Sequence, residues 1–245
     1  MTESQPTAAL QTKALLVHER LAVAYGAPIP FFSNKDPLSE LVSALLSHRT
    51  RNSESGRAYR ELRARFPTWE AVRDAPTAEV EAAIAAAQWP EQKAPRIQAA
   101  LRAITERHDG VLTLDFLADM SVTEARTWLE SINGIGPKTS AATLLFSTLR
   151  MPALPVDSHH HRVAQRLGLI PPNMGPGPAH AVLEAQLPPD WSAQQVYDNH
   201  EVLMLHGQRC CFFRNPACSR CPVLDLCPYG QRLLTPPTEQ TGALI

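Results

Sequence analysis

The sequence predicts an all-α protein, and two observations support that prediction. Apolar residues recur at three- and four-residue spacing through most of the 245-residue chain, which is the period of an amphipathic helix. Two-residue alternation between turn signals, which would indicate strands, is not found. We therefore expect helices of about ten residues, joined by short Pro-rich or polar loops.

The first clear helix is the segment DPLSELVSALLSH, which begins at Asp36. Asp36 is a good N-cap, and Pro37 fits the first helical position. The apolar residues of this segment share one face: Leu38, Leu41, Val42, Leu45 and Leu46. Similar spacing predicts helices in TAEVEAAIAAA, APRIQAALRAI, TEARTWLESI, HRVAQRLGLI and AHAVLEAQL. PPNMGPGP is a loop, and the weak signals after Tyr229 predict a flexible tail over 231–245.

Composition limits the class of protein. Hydrophobic residues make up 44% of the chain, charged residues 19%, and the formal net charge is -1. This balance argues against a surface that is positive throughout, but it allows the local basic face that nucleic-acid binding needs. No apolar run of about 18 residues is found, and the start MTESQPTAALQTK does not resemble a secretion signal. We expect a cytoplasmic protein.

A glycine-rich turn joins two predicted helices in the segment SINGIGPKTSAATLLF. The first helix is expected to end at Asn133-Gly134, and the second to begin at Pro137. Few side chains shield the amides between them, so these N–H groups and those of the second helix can hold an anion. Ile135 is expected to turn inward. The alternative is a tight turn in which glycine simply fits.

Four of the five cysteines lie close together near the end of the chain, separated by six, two and five residues: Cys211, Cys218, Cys221 and Cys227. Cytosolic proteins seldom hold structural disulfides, so this cluster indicates metal ligands. Four thiolates suit zinc or an iron–sulfur cluster, and the single C-x2-C pair favours the latter. Cys210 stands outside the set and is expected to be a small buried thiol.

Together these features resemble the endonuclease III family of DNA glycosylases. The resemblance rests on INGIGPKT, on the aspartate of PVDSHHHRVAQRLGL 19 residues after the lysine, and on the cysteine spacing. It implies two all-α domains that flank a DNA-binding cleft. We expect a six-helix barrel with the helix-hairpin-helix over 31–150. An iron–sulfur cluster domain is expected from 1–30 and 151–230.

The resemblance also implies roles for individual residues. Lys138 stands where the family keeps its nucleophilic lysine, and Asp157 where it keeps a catalytic carboxylate. The four clustered cysteines match the ligands of a 4Fe–4S cluster. Contacts with DNA are expected from Gly134, Ile135, Gly136, Arg49, Trp89, Arg162 and Arg214.

Chemistry supports the two catalytic assignments separately. An amine that attacks C1′ of a deoxyribose forms a Schiff base, which permits β-elimination. Desolvation and a helix N-terminus both disfavour the charge on Lys138, and Asp157 can stabilise a sugar cation and relay protons. The structural alternatives are a solvated first-turn lysine and an N-cap for a helix from His159. The run His159–His161 cannot chelate one ion, and we expect one histidine packed, one near DNA and one solvated.

Three loops depart from the family pattern. Arg49 stands near the position of a glutamine that fills the gap left by a flipped base. In AQWPEQKA, Trp89 replaces a short glycine turn; it can stack on bases or belong to the core. The cluster loop FFRNPA holds only Arg214, which predicts weaker and less salt-sensitive DNA binding.

The sequence therefore predicts a bifunctional DNA N-glycosylase/AP lyase of base excision repair that removes oxidised pyrimidines. We expect a monomer that acts on double-stranded DNA with damaged bases or abasic sites, at the nucleoid if the cell is prokaryotic. One alternative is a glycosylase for another lesion or mismatch. Another is a lyase for abasic sites only, and a third is a non-catalytic iron–sulfur module that binds DNA.

Overall fold

The computed structural model describes residues 7–235, which form helices and turns with no strand. Its twelve α-helices are α1 Ala8–Tyr25, α2 Pro37–Ser47, α3 Asn52–Arg65, α4 Trp69–Asp74, α5 Thr77–Ala83, α6 Pro90–Arg107, α7 Val122–Glu130, α8 Pro137–Phe146, α9 Ser158–Leu167, α10 Pro176–Glu184, α11 Ala193–Arg209 and α12 Pro228–Leu234. The predicted all-α fold class is confirmed. None of the helices within 7–235 is long and apolar enough to span a membrane.

The chain divides into two compact units. The central unit is Phe31–Ala153 and contains α2 to α8. The terminal unit combines the segment before Phe31 with the segment from Leu154 onward, and so contains α1 and α9 to α12.

The central unit is built around α2, which packs against α3, α6 and α8. Leu41, Leu46, Leu62 and Ile97 are fully buried in its core, and each such side chain contributes about 1.5–3 kcal/mol on burial. Two of its helices, α4 and α5, are short and are separated at Pro76, the N-cap residue of α5.

In the terminal unit, α11 packs against both α1 and α9. Val17, Leu21 and Val202 are fully buried there. The prediction of a flexible tail from 231 is wrong for 231–234, which belong to α12. This helix is stabilised by Pro228 at its first turn and by the Cys227 side chain, which accepts a hydrogen bond from the backbone N of Gly230. Residues 236–245 lie outside the described residues.

Candidate active site and metal centre

The glycine hairpin lies between α7 and α8, although α7 ends at Glu130, before the expected Asn133. Gly134 has a φ of +90°, which strains any residue with a Cβ. Ile135 is only 4% exposed and anchors the turn in the core. A Cβ built at Gly134 or Gly136 would meet no atom within 4 Å. The backbone of this turn therefore faces open space.

Helix α8 begins without a side-chain cap. Its N-cap is Gly136, and Pro137 is its first residue. No side chain of the N-cap covers the positive end of this helix, which suits the binding of an anion such as a phosphate. Lys138, the second residue of α8, is half-buried and adds its amine at the same end.

A neutral histidine lies close to this helix end. His48 Nε2 is 3.0 Å from Oγ1 of Thr139, the residue after Lys138. Burial, together with the positive charges of Lys138, Lys93 and Arg96, lowers the pKa of His48 to about 4. The imidazole is therefore neutral at neutral pH and adds no second positive charge beside Lys138.

Asp157 is the N-cap of α9, where its Oδ1 accepts a hydrogen bond of 2.7 Å from the backbone N of His160. Burial alone would raise the pKa of Asp157. The charge of His200 and the N–H of His160 outweigh burial and hold this pKa below its usual value. Asp157 is thus an ionised, half-buried carboxylate. Its capping role and a catalytic role are compatible, since the cap engages one oxygen.

The three consecutive histidines have separate surroundings. His160 is buried, and His161 Nε2 lies 2.9 Å from the carbonyl O of Met174. His159 Nδ1 lies 3.2 Å from Nη2 of Arg162. His159 and His161 are both half-buried. The expectation that one of them is near DNA and the other solvated stays a prediction.

All five cysteines line one small cavity in the terminal unit. They are free thiols, and the four expected ligands are thus brought together. The sulfurs of Cys210 and Cys221 and a ring nitrogen of His206 all lie within 4.8 Å of one another. The terminal unit therefore contains a Cys/His group that can hold a metal ion. Cys210 is buried as expected, although it lies beside Cys221 rather than apart from the set.

The walls of this cavity suit metal-bound thiolates. Arg166 Nη1 lies 3.2 Å from Cys211 Sγ, which favours a negative sulfur. A Cβ at Gly230 would come within 2.9 Å of Leu224 Cδ1 and 3.6 Å of the sulfurs of Cys218 and Cys227. Glycine at 230 therefore keeps the space beside two sulfurs open.

Burial also makes metal-free thiolates unfavourable in this cavity. It raises the pKa of Cys218 and Cys227, and it raises the pKa of Cys221 to about 12. Buried charges need a partner, so these sulfurs fit a bound cation or cluster better than free ionised thiols.

Arg49 and Trp89 lie together in the central unit. The guanidinium carbon of Arg49 is 5.8 Å from the centre of a Trp89 ring, which is cation–π distance. Both residues have left-handed backbones, with φ of +50° and +53°. Trp89 is 43% exposed, so the alternative that it belongs to the core is wrong.

The other predicted DNA contacts belong to the terminal unit. Arg162 is half-buried and donates hydrogen bonds to the carbonyl oxygens of Gly207 and Cys211, at 2.7 and 3.0 Å. Its guanidinium thus holds the start of the cysteine loop, and its contact with DNA stays a prediction. Arg214 is exposed on the same loop.

Sequence reasoning missed several polar residues near these groups. Lys93 and Thr50 are buried in the central unit, and Glu201 is buried in the terminal unit, where burial raises its pKa to about 7. The only available signal for Lys93 was a lysine within an otherwise apolar helix stripe. A lysine at such a position is predicted to be exposed unless the groups that accept its hydrogen bonds in the folded protein are known.

Residues 42–189 match the family model of the HhH-GPD superfamily base excision DNA repair proteins. This match spans more than half of the chain, so the chain belongs to that superfamily. The resemblance to endonuclease III is confirmed by the relatives described next.

Two relatives show how the similarity is distributed. A protein of Arabidopsis thaliana named as a DNA glycosylase is 33% identical over 173 residues, which are 71% of this chain and 57% of that protein. Endonuclease III of Escherichia coli K12 is 27% identical over 223 residues, 91% of this chain and 98% of that enzyme. The chain thus spans little more than half of the plant protein but nearly all of the bacterial one.

A solved structure of a trapped endonuclease III–DNA covalent intermediate has the same fold. Its TM-score is 0.76 with 20% sequence identity, and the match covers 92% of this chain and 99% of that one. At this identity the similarity establishes the fold.

Proposed function

We propose that this protein is a bifunctional DNA N-glycosylase/AP lyase that removes oxidised pyrimidines from duplex DNA. One observation carries the proposal. Lys138, half-buried at the uncapped N-terminus of α8, directly follows a hairpin whose glycines face open space. A phosphate bound by the hairpin would bring the sugar of that strand to the lysine.

Lys138 is the nucleophile in this proposal. Its neutral amine attacks C1′ of the damaged nucleotide, and the N–C bond forms as the glycosidic bond breaks and the base leaves with the electron pair. Opening of the sugar ring gives a Schiff base. Removal of a C2′ proton by a base then forms the C2′–C3′ double bond, and this β-elimination breaks the C3′–O bond and releases the 3′ phosphate. The neutral His48 ring helps because a charged ring would repel a cationic intermediate.

Asp157 supplies the carboxylate. It is ionised at neutral pH, as its lowered pKa requires, so it can stabilise the positive charge that develops on the sugar. It can also accept and return protons during ring opening. Its hydrogen bond to the His160 N–H fixes the carboxylate on α9.

DNA with a damaged base or an abasic site is the proposed partner, bound by a monomer. The similar solved structure is itself a trapped endonuclease III–DNA covalent intermediate, which supports DNA as the partner and a covalent step in the reaction. Gly134, Ile135 and Gly136 form the phosphate clamp. Arg49, Trp89 and Arg214 are exposed and provide further contacts with the strands. The protein acts where the cell keeps its DNA, at the nucleoid in a prokaryote.

A 4Fe–4S cluster is the proposed cofactor of the terminal unit, held by Cys211, Cys218, Cys221 and Cys227. The shared cavity, the open space at Gly230 and the arginine beside Cys211 support this ligand set. Cys211, Cys218 and Cys221 of the loop and Cys227, the N-cap of α12, would hold the cluster, which would tie these segments together. Arg214 is exposed on the same loop, where it would be available to DNA.

A strand-cleavage assay tests the proposal. Purified protein is incubated with a thymine-glycol duplex and with an abasic duplex, and free base and cleaved strand are measured. We expect both products from the first duplex, and neither from Lys138→Gln. Cleavage of the abasic duplex alone would restrict the protein to an AP lyase. Unchanged behaviour of Lys138→Gln would remove the catalytic proposal and favour a non-catalytic DNA-binding module.

A further inference from the structure

We propose that Lys93 is a positioning residue that joins the loops 47–51 and 88–89, so that Arg49 and Trp89 form one stacking platform used in extruding the damaged base. This inference rests on the proposed function and assigns a role to a residue that touches neither base nor sugar. Three observations of the central unit support it.

The first observation is the set of contacts made by the Lys93 ammonium. Lys93 is only 6% exposed, and its Nζ donates to the carbonyl oxygens of Leu46 and His48, at 2.7 and 2.9 Å, and to Thr50 Oγ1, at 2.6 Å. The three donors of an ammonium group are thus matched by three acceptors. These acceptors belong to the last turn of α2 and to the loop that follows it. The last carbonyl groups of a helix have no hydrogen-bond partner within the helix.

The second observation is that Thr50 connects the two loops. Its Oγ1 accepts one hydrogen bond from Lys93 Nζ and another, of 3.2 Å, from the backbone N of Gln88. Thr50 is 8% exposed, so water does not compete well for these bonds. Lys93 is the fourth residue of α6, which begins at Pro90 directly after Trp89. The loop of Arg49 and the loop of Trp89 are therefore fixed to the same buried group.

The third observation is the backbone of the two exposed residues. Arg49 lies between His48 and Thr50 with a φ of +50°, and Trp89 has a φ of +53°. Such conformations persist in residues other than glycine only where the surroundings hold them. The bonds of Lys93 and Thr50 are those surroundings, and they set the guanidinium over the indole.

The platform fits one step of the reaction in particular. Extruding a base leaves a gap in the duplex, and planar side chains that stack can fill it. The unstacking cost is least where no base has to leave the stack, as at an abasic site. Loosening the platform should therefore impair base removal more than cleavage of an abasic duplex.

Lys93→Met tests this role, because it keeps the length of the side chain and removes its three donors. We would measure the ratio of base removal from a thymine-glycol duplex to cleavage of an abasic duplex under single-turnover conditions. Lys35→Met is the matched control, since Lys35 is a lysine of the same unit that donates to Ser33 and Glu40, away from both loops. Arg49→Ala, alone and combined with Lys93→Met, completes a double-mutant cycle that measures whether the two residues act together.

We expect Lys93→Met to lower the ratio at least tenfold, with no further loss in the double variant and no change in Lys35→Met. An unchanged ratio, or losses that add fully with Arg49→Ala, would overturn the inference. If Lys93→Met does not fold, Thr50→Val answers the same question through the same ratio. Failure of the wild-type protein to act on either duplex would instead contradict the proposed function.

Discussion

The carboxylate of Asp157 caps α9 and is also the proposed catalytic group. Capping needs only an acceptor, whereas stabilising a sugar cation needs a negative charge. Asparagine is as good an N-cap as aspartate, so one substitution separates the two roles. Lys138 is not the cap of its helix, since Gly136 stands at the N-cap position of α8.

We predict that Asp157→Asn keeps the stability of the protein and lowers base removal by about 10²–10⁴-fold, the usual contribution of a general acid–base group. The matched control is Asp36→Asn, because Asp36 caps α2 through a similar 2.8 Å bond from Ser39 N. Single-turnover kinetics and thermal unfolding of both variants provide the measurement. A loss of activity no larger in Asp157→Asn than in Asp36→Asn would contradict the catalytic role.

The buried His160 predicts acid sensitivity. Burial and the nearby His200 lower the pKa of His160 to about 3, although Asp157 opposes them. The unfolded chain takes up this proton near pH 6.5, so stability is full above that pH and falls as the pH drops toward 3. The loss at pH 5 is about 2 kcal/mol. His160→Leu should flatten the fall in melting temperature between pH 7 and 5; an equal slope in both proteins would show that His160 is not its source.

At the scale of the element, the helix-hairpin-helix combines a buried residue with two bare glycines. Ile135 holds the turn in the core, while the glycines have different backbones. Gly134 has a φ of +90°, whereas Gly136 has a φ of -105° that any residue can adopt. Open space beside both means that an added methyl group meets no protein atom.

We predict that Gly134→Ala destabilises the protein by about 1–2 kcal/mol through backbone strain, whereas Gly136→Ala has a much smaller effect. Both methyl groups would shield the amides of the turn, so both variants should bind an abasic-site duplex more weakly. Urea denaturation and fluorescence anisotropy measure the two effects. Equal stability of the variants would argue against the strained turn, and unchanged binding in both would argue against the phosphate clamp.

Local signals explain which elements could be predicted from the sequence. Asp36 is the N-cap of α2 and accepts a hydrogen bond from Ser39 N, only three residues later, and Pro37 is the first residue of the helix. Signals this local can be found in the sequence, and α2 was predicted correctly. The platform around Lys93 depends on acceptors more than 40 residues earlier in the chain, which no local pattern reveals. Helix α12 was likewise missed, since its cap is the side chain of a cysteine.

At the scale of the whole molecule, the two compact units carry different functional residues. Phe31–Ala153 carries the hairpin and Lys138, and the terminal unit carries Asp157 and the cysteines. The cysteine spacing was enough to predict that these sulfurs share a site. It did not predict that Cys210 and His206 lie beside Cys221, because that proximity depends on how α11 ends.

We predict that Cys221→Ser abolishes the brown colour and the bound iron of the purified protein, whereas Cys210→Ser retains both. The physical reason is that a hydroxyl is a poor substitute for a cluster thiolate. Iron and labile sulfide analysis, with zinc measured in parallel, provides the test. Loss of metal in Cys210→Ser, or a colourless zinc protein, would replace the proposed ligand set with one that includes Cys210 and His206.

The identity of the Schiff-base lysine tests the central claim most directly. The chain has only four lysines, at 13, 35, 93 and 138, so a covalent adduct can be assigned without ambiguity. The protein would be trapped on a thymine-glycol duplex with borohydride, digested, and mapped by mass spectrometry. We predict a single deoxyribose adduct on Lys138. An adduct on another lysine or on the N-terminal amine, or cleavage of the duplex with no adduct at all, would contradict the mechanism.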